Sequence, residues 1–245
     1  MVEFKGVAHR FGPQWALKDV SFSLHKGEFL FLTGHSGAGK TTLLRLLYGA
    51  LRLRYGRASV AGFDLKKLRR SQIPELRRRV SVVFQDFKIL PNLTAYDNVA
   101  LSLRVRGLSR AQTDRRVRGM LAALGLEDRA YVKSERLSGG EQQRVAIARS
   151  MVVNPKLILA DEPTGNLDPD LTDHLMDIFR QFHAYGTTVI MATHSRHVLG
   201  RVPEARIIHL EGGCMAERTA PDPGKRGTKA DCAPPAGKGR EEPRP

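Results

Sequence analysis

Cysteine is nearly absent: Cys214 and Cys232, both towards the C-terminal end, are the only two in 245 residues. Their spacing fits no metal-ligand set and their number no disulfide framework, so a reducing cytosol is the expected setting. Long apolar runs are missing too. Stretches such as Phe29–Thr33 and Leu157–Ala160 fall far short of the roughly 20 residues that a membrane-spanning helix requires. Met1–His9 alternates polar and apolar side chains, so no signal peptide is expected. No internal repeat is visible. What the chain does have is 41% hydrophobic residues, and at this length a fold buries roughly 70–75% of the extended surface. Disorder of the whole chain is thereby excluded. One α/β domain, with or without a small satellite, is the expected organisation.

Acidic side chains are also in short supply, 25 against 40 basic, for a net charge of +15. The excess is local. Residues 45–79 hold eleven basic and two acidic side chains, and residues 104–118 hold six and one, so these two blocks carry nearly all of it. Arginine outnumbers lysine, as a GC-rich genome alone would produce. Charge of this kind suits a solvated basic face, a surface for anionic headgroups or an acidic partner, or nucleic acid, and does not choose among them.

Strands are expected at Val2–Ala8, Val20–His25, Glu28–Thr33, Val80–Phe84, Lys156–Ala160 and Thr187–Thr193. Helices are expected at Thr41–Leu51, across Thr94–Leu124 with a break at Gly107 and an N-cap at Ser109, at about Gly140–Val153, and at Leu171–Tyr185. In the last of these, Leu171, Leu175, Ile178 and Phe182 define one buried face. Strands alternating with helices imply a mainly parallel sheet, with the helical block 94–150 inserted into it. Residues 219–245 contain six prolines and four glycines and almost nothing apolar, which predicts a disordered tail.

Three segments carry chemistry. Gly34-His-Ser-Gly-Ala-Gly-Lys-Thr-Thr42 follows an apolar strand and precedes a leucine-rich helix, in the pattern of a phosphate-binding loop. Gly34, Gly37 and Gly39 let backbone N–H groups approach phosphate oxygens, and the following helix points its positive end at them. Lys40 supplies charge to the β- and γ-phosphates, and the Thr41 hydroxyl is placed for Mg²⁺. Leu157-Ile-Leu-Ala-Asp161-Glu162 is an apolar strand ending in two carboxylates. Asp161 would hold Mg²⁺ through its water shell, leaving Glu162 to orient and deprotonate the attacking water. Leu137-Ser-Gly-Gly-Glu-Gln-Gln143 starts a helix: Ser138 caps it, Glu141 completes a capping box, and Gly139 and Gly140 leave the first N–H groups open to an anion. Two phosphate sites so far apart in one chain suit a protein that sandwiches ATP between two subunits.

In this order the motifs resemble the ATP-binding cassette (ABC) ATPase family, over about residues 1–216. The resemblance implies an α/β P-loop NTPase of the ABC nucleotide-binding-domain type. Its sheet would be RecA-like and mainly parallel, with an N-terminal antiparallel β part and an inserted helical subdomain at about 86–150. The domain would span 1–218. The resemblance further implies that Phe11 stacks on adenine, where the family often has Tyr. By the same resemblance Gln85 senses γ-phosphate and metal, Asp168 belongs to a loop crossing the dimer interface, and His194 contacts the γ-phosphate. The implied nucleotide site is then Phe11, Gly34, His35, Ser36, Gly37, Ala38, Gly39, Lys40, Thr41, Thr42, Gln85, Asp168 and His194, with Ser138, Gly139, Gly140 and Glu141 contributed across a homodimer. Glu162, His194, Gln85 and Lys40 are the expected catalytic residues, Thr41, Gln85 and Asp161 the expected Mg²⁺ site, and ATP with Mg²⁺ the expected cofactors. Ser195 departs from the family, which commonly has Asp there, and Arg104–Arg118 is unusually basic.

Thr33–Lys40, Phe84–Pro91 with Tyr96–Val99, and Ala160–Asp168 are similar to the bacterial cell-division branch of the family. The last is shared with lipoprotein-releasing and macrolide-exporting ATPases, so an exporter subunit stays open as the alternative. The division reading implies peripheral attachment at the cytoplasmic face of the membrane, through an integral permease-like (FtsX-like) partner, and regulation of septal peptidoglycan hydrolysis. Asp86–Val99 would form much of the docking groove, with Phe87, Leu90 and Tyr96 as apolar anchors. No second cassette, zinc module or long coiled coil accompanies the cassette, so no specific nucleic-acid partner is expected.

Overall fold

The computed structural model describes residues 1–165 and 167–218; the segment 219–245, expected to be a tail, and Asn166 lie outside the described residues. Two sheets form the frame. In the first, β1 (Val2–Phe11) pairs antiparallel with β2 (Gln14–Leu24) on one side and with β4 (Tyr55–Val60) on the other, and β5 (Phe63–Asp64) adds to β4. Between β2 and β4 the chain crosses into the second sheet as β3 (Phe29–Thr33) and returns through helix α1 (Lys40–Leu47). After β5 come α2 (Ile73–Arg79) and β6 (Val80–Val83), then α3 (Ala95–Arg104), α4 (Arg110–Ala123) and α5 (Gly139–Met151) without an intervening strand. The remaining elements are β7 (Leu157–Asp161), α6 (Pro169–Ala184), β8 (Thr188–Ala192), α7 (Arg196–Gly200), β9 (Arg206–Glu211) and β10 (Cys214–Arg218). The second sheet has the order β10-β9-β3-β8-β7-β6, parallel throughout except for the β9–β10 hairpin at one edge.

The continuous apolar character of β3, β7 and β8 follows from burial on both faces. In β3, Phe29 and Phe31 enter one core with the helices α3–α6, while Leu30 and Leu32 enter the other, shared with α1 and the antiparallel sheet. The same alternation divides Ile158 and Ala160 from Leu157 and Leu159 in β7, and Val189 and Met191 from Ile190 and Ala192 in β8. The parallel sheet is thus the middle layer of the molecule, and in β3, β7 and β8 polar side chains occur only at strand ends.

The inserted helices start where the sequence marks them. Thr94 caps α3 by accepting from the Asp97 N–H, and Ser109 caps α4 by accepting from the Gln112 N–H. Asn98 is fully buried on α3. It accepts from the Leu90 N–H (2.8 Å) and donates to the Leu90 carbonyl (3.0 Å) and the Ser134 hydroxyl (2.9 Å), pinning the loop that follows β6.

Several expectations change. Helix α1 ends at Leu47 rather than Leu51, because the chain turns left-handed at Gly49. Strands β4, β5, β9 and β10 and helices α2 and α7 are not among the elements expected from the sequence. The buried stripe of α6 is also rotated: Leu175, Met176, Ile178 and Phe179 are buried, whereas Leu171 and Phe182 are only partly covered. Cys214, at the head of β10, is disulfide-bonded, against the expectation of a chain without disulfides. Phe179, fully buried against the sheet, should therefore carry far more stability than Phe182. Phe179→Ala is expected to lower the unfolding free energy by about 3–5 kcal/mol, and Phe182→Ala by much less, as measured by denaturant titration.

Candidate functional site

The loop after β3 is shaped by what its backbone must pass. Gly34 has φ +144°, and a Cβ there would collide with the Leu210 carbonyl oxygen of β9. Gly39 has φ +107°, and a Cβ there would stand 2.5 Å from the Ala16 carbonyl oxygen of β2. Both positions admit only glycine. Gly39 is the N-cap of α1 and offers no side chain to its first N–H groups, which leaves them directed into the loop and available to an anion. The first residue of that helix, Lys40, is buried, and its Nζ donates to the carbonyls of Gly34 (2.8 Å) and His35 (3.2 Å).

Opposite the loop, β7 delivers two carboxylates with different surroundings. Asp161 is buried as the last residue of the strand, and burial pushes its carboxyl above the usual carboxylate range. The Thr41 hydroxyl, by hydrogen bonding to it, opposes that rise, and the neighbouring Glu162 adds to it. Glu162 leaves the strand with φ +48°, a left-handed conformation that costs a non-glycine residue about 1–3 kcal/mol. Its N–H donates to the Ala192 carbonyl of β8 (3.0 Å). Its side chain is 14% exposed, stands 3.7 Å from Lys40 Nζ, and lies 3.0 Å from His194 Nδ1. A carboxylate only accepts, so the His194 nitrogen donates in this pair.

These groups converge on one cavity of about 540 Å³, lined by residues 34–42, Gln85, Asp161, Glu162, His194, Gly165 and Ala16. Every residue singled out from Gly34 to Thr42 is therefore at the cavity, as are Gln85, Asp161, Glu162 and His194. Ala16 and Gly165 were missed, and neither carries a pattern that would have marked it. Phe11 is not among the lining residues; it is 48% exposed and meets His9 edge-to-face at 4.8 Å. The capping box is formed as read: Ser138 Oγ accepts from the Glu141 N–H, and the Glu141 carboxylate accepts from the Ser138 N–H (2.8 Å). That backbone bond, with Arg129 beside it, holds the Glu141 carboxyl below its usual range. Ser138, Gly139, Gly140 and Glu141 do not line the cavity. Nor does Asp168, which caps α6 by accepting from the Leu171 N–H (2.9 Å).

Thr41, Asp161 and the phosphates of a nucleotide would give a hard, oxygen-only donor set, which suits Mg²⁺ with its retained waters. Among the described residues no cluster of three His, Cys, Asp or Glu side chains could hold a metal without such a ligand. No helix among them is long and apolar enough to cross a membrane.

Comparison with known proteins gives the family. The ABC transporter family matches residues 17–165. The cell division ATP-binding protein FtsE of Streptococcus pneumoniae (strain D39) is 44% identical over 214 residues, spanning 87% of this chain and 93% of its own length. Its namesake in Escherichia coli K12 is 43% identical, spanning 87% and 98%. Among solved structures, a dimeric, post-hydrolysis ATP-binding cassette bound to ADP and Pi superposes with a TM-score of 0.81 at 33% identity, over 89% of this chain and 98% of that one. A glycine loop, a buried lysine and a carboxylate pair meet on one nucleotide-sized cavity, and by that site and its relatives the chain belongs to the ABC transporter family as a nucleotide-binding, ATP-hydrolysing cassette.

Proposed function

We propose that this chain is the ATPase subunit of a bacterial cell-division ABC complex, working as an ATP-bound homodimer that changes the conformation of an FtsX-like membrane partner. The partner in turn regulates peptidoglycan hydrolysis at the septum. The division role is carried by the relatives in two distant bacteria, which bear that name over nearly their whole length. The dimer is supported by the cassette that superposes on this chain and is itself dimeric. Attachment would be peripheral, at the cytoplasmic face of the inner membrane.

In the reading we favour, Lys40 and the N–H groups of residues 34–42 hold the β- and γ-phosphates, and Phe11 stacks on the base from outside the cavity. Thr41 and Asp161, with Gln85 at the rim, hold Mg²⁺, which neutralises phosphate charge when bound. Glu162 takes the proton of the attacking water. His194 hydrogen-bonds Glu162, which fixes the carboxylate's orientation, and faces the γ-phosphate. Ser138, Gly139, Gly140 and Glu141 complete the nucleotide site of the opposite subunit, with Asp168 at the interface between them.

Docking of the membrane partner has a natural receptacle beside the loop after Gln85. A groove of about 770 Å³ runs between Tyr48 and Phe84 on the core and Leu101 on α3 with Val105 at its C-cap, rimmed by Arg77 and Arg106. Val105 is 68% and Leu101 37% exposed. Contrary to expectation, no residue of Asp86–Val99 lines this groove, so Phe87, Leu90 and Tyr96 are not its anchors. Leu90 is exposed, and Tyr96 turns towards α4, its hydroxyl donating to Asp114 (3.0 Å) and its ring stacking on Tyr131. Tyr96 therefore supports the inserted helices rather than the groove.

Glu162→Gln is expected to retain ATP and lose turnover by about 10²- to 10⁴-fold, in a phosphate-release assay; an unchanged rate would remove Glu162 from the role of base. Asp161→Asn tests the buried charge. A carboxyl whose pKa is raised by folding favours the native state below its usual range, and that contribution is lost as pH rises through the raised value. Without nucleotide at neutral pH, Asp161→Asn should thus melt no lower than the parent and lack ATPase activity, the stability gap narrowing as pH falls towards the usual carboxylate range. Val105→Asp should keep ATPase activity and lose co-purification with the permease-like partner; intact recovery of the partner would refute the groove as its seat.

A further inference from the structure

Gln143 is 3% exposed on α5, between the capping box at that helix's start and the body of the core. Its Nε2 donates to the Pro163 carbonyl at 2.6 Å. Its Oε1 is buried with no partner among the described residues, an arrangement that costs about 1–3 kcal/mol and that an apolar side chain of the same size would avoid. A residue kept only to fill space would not carry that cost, so the value of the amide lies in its donor.

The acceptor is the carbonyl of Pro163, the residue that follows Glu162. Glu162 holds φ +48°, a conformation that persists only where neighbours over-determine it. On its amino side the Glu162 N–H is fixed by the Ala192 carbonyl of β8, two residues before His194. On its carboxyl side the Glu162 carbonyl accepts from the Gly165 N–H (3.3 Å), and Gln143 holds the carbonyl of the next residue, Pro163. The same end of α5 faces the chain beyond Pro163, since a Cβ added at Gly140 would stand 3.4 Å from Leu167 Cδ2 and 3.8 Å from Leu171 Cδ2.

We propose that Gln143 is a positioning residue: it transmits the placement of the α5 cap, through the Pro163 carbonyl, to the orientation of Glu162 in the same chain. The cap offered to one nucleotide would thereby govern the readiness of the base at the other. This rests on the reading of Glu162 as the base and of the α5 cap as half of a site completed by a second copy.

Gln143→Met keeps the side-chain volume and deletes the donor, and Gln143→Leu is a second variant with the same loss. In the full-length protein both are expected to fold with an unfolding midpoint at or above that of the parent. Both should lower kcat about tenfold or more while KM for ATP stays within about twofold, the pattern of an interaction used in the transition state and not in ground-state binding. The rate should also rise less steeply with ATP concentration, because the two sites no longer report to each other. Parent-like kcat in both variants, or a kcat loss matched by a proportional rise in KM and a lowered midpoint, would overturn the proposal. Measuring Glu162→Gln in parallel separates the two claims. If that variant is inactive while Gln143→Met runs at full rate, the coupling alone fails; if it hydrolyses ATP normally, the assignment of the base fails with it.

Discussion

The parallel register of β3, β8 and β7 is the constraint on which the rest depends. A sheet covered on both faces cannot release a polar group through its surface, because each strand alternates between two apolar cores. Polar chemistry is confined to the carboxyl ends, and parallel pairing puts those ends on one edge. Thr33, Asp161 and Ala192 finish neighbouring strands. The glycine loop, the Glu162 turn and His194 are therefore delivered to one place by strand pairing.

Electrostatics within that edge are nearly self-balanced. Lys40 is held by two carbonyls and faces Glu162, while Asp161 keeps a buried charge that burial disfavours. Such a site suits a ligand that brings phosphate towards Lys40 and a divalent cation towards Asp161. The large basic excess lies elsewhere. The Arg106 guanidinium donates to the Arg78 carbonyl at 2.6 Å, so the two arginine-rich blocks meet at the groove between core and α3 rather than at the cavity. Net charge thus speaks about the groove and its surroundings, not about catalysis.

Legibility followed the locality of the cause. The phosphate-binding loop could be read because its glycines, lysine and threonine act through backbone within a few residues, and the caps at Thr94, Ser109 and Ser138 are equally local. The buried strands announced themselves because two-sided burial leaves no polar position. Strand β4 did not, since Tyr55–Val60 carries Arg57 on its exposed face in a basic stretch. The edge hairpin β9–β10 mixes charged and apolar residues for the same reason. The stripe of α6 was misphased because periodicity gives a spacing but not which ridge the sheet accepts, and Met176 and Phe179 fill it. Gln143 was invisible as more than a motif letter, because its partner lies twenty positions on and is a carbonyl.

The capping box is the point where local and global readings part. Within one chain it is complete as an ordinary helix start, its serine and glutamate satisfied by each other's N–H groups. Yet Gly139 and Gly140 put no bulk over the first turn, and nothing within 4 Å would meet a Cβ at Gly139. A helix needing only a cap would do better with alanine than with two glycines, each costing about 1 kcal/mol in a helix. That cost is offset only by something approaching the backbone closely, and the cavity of the same chain does not include this turn. In the proposed dimer the opposite subunit's nucleotide makes that approach. The glycines, the unpartnered oxygen of Gln143 and the left-handed Glu162 are then successive steps along one line, each locally unfavourable and each tied to the next.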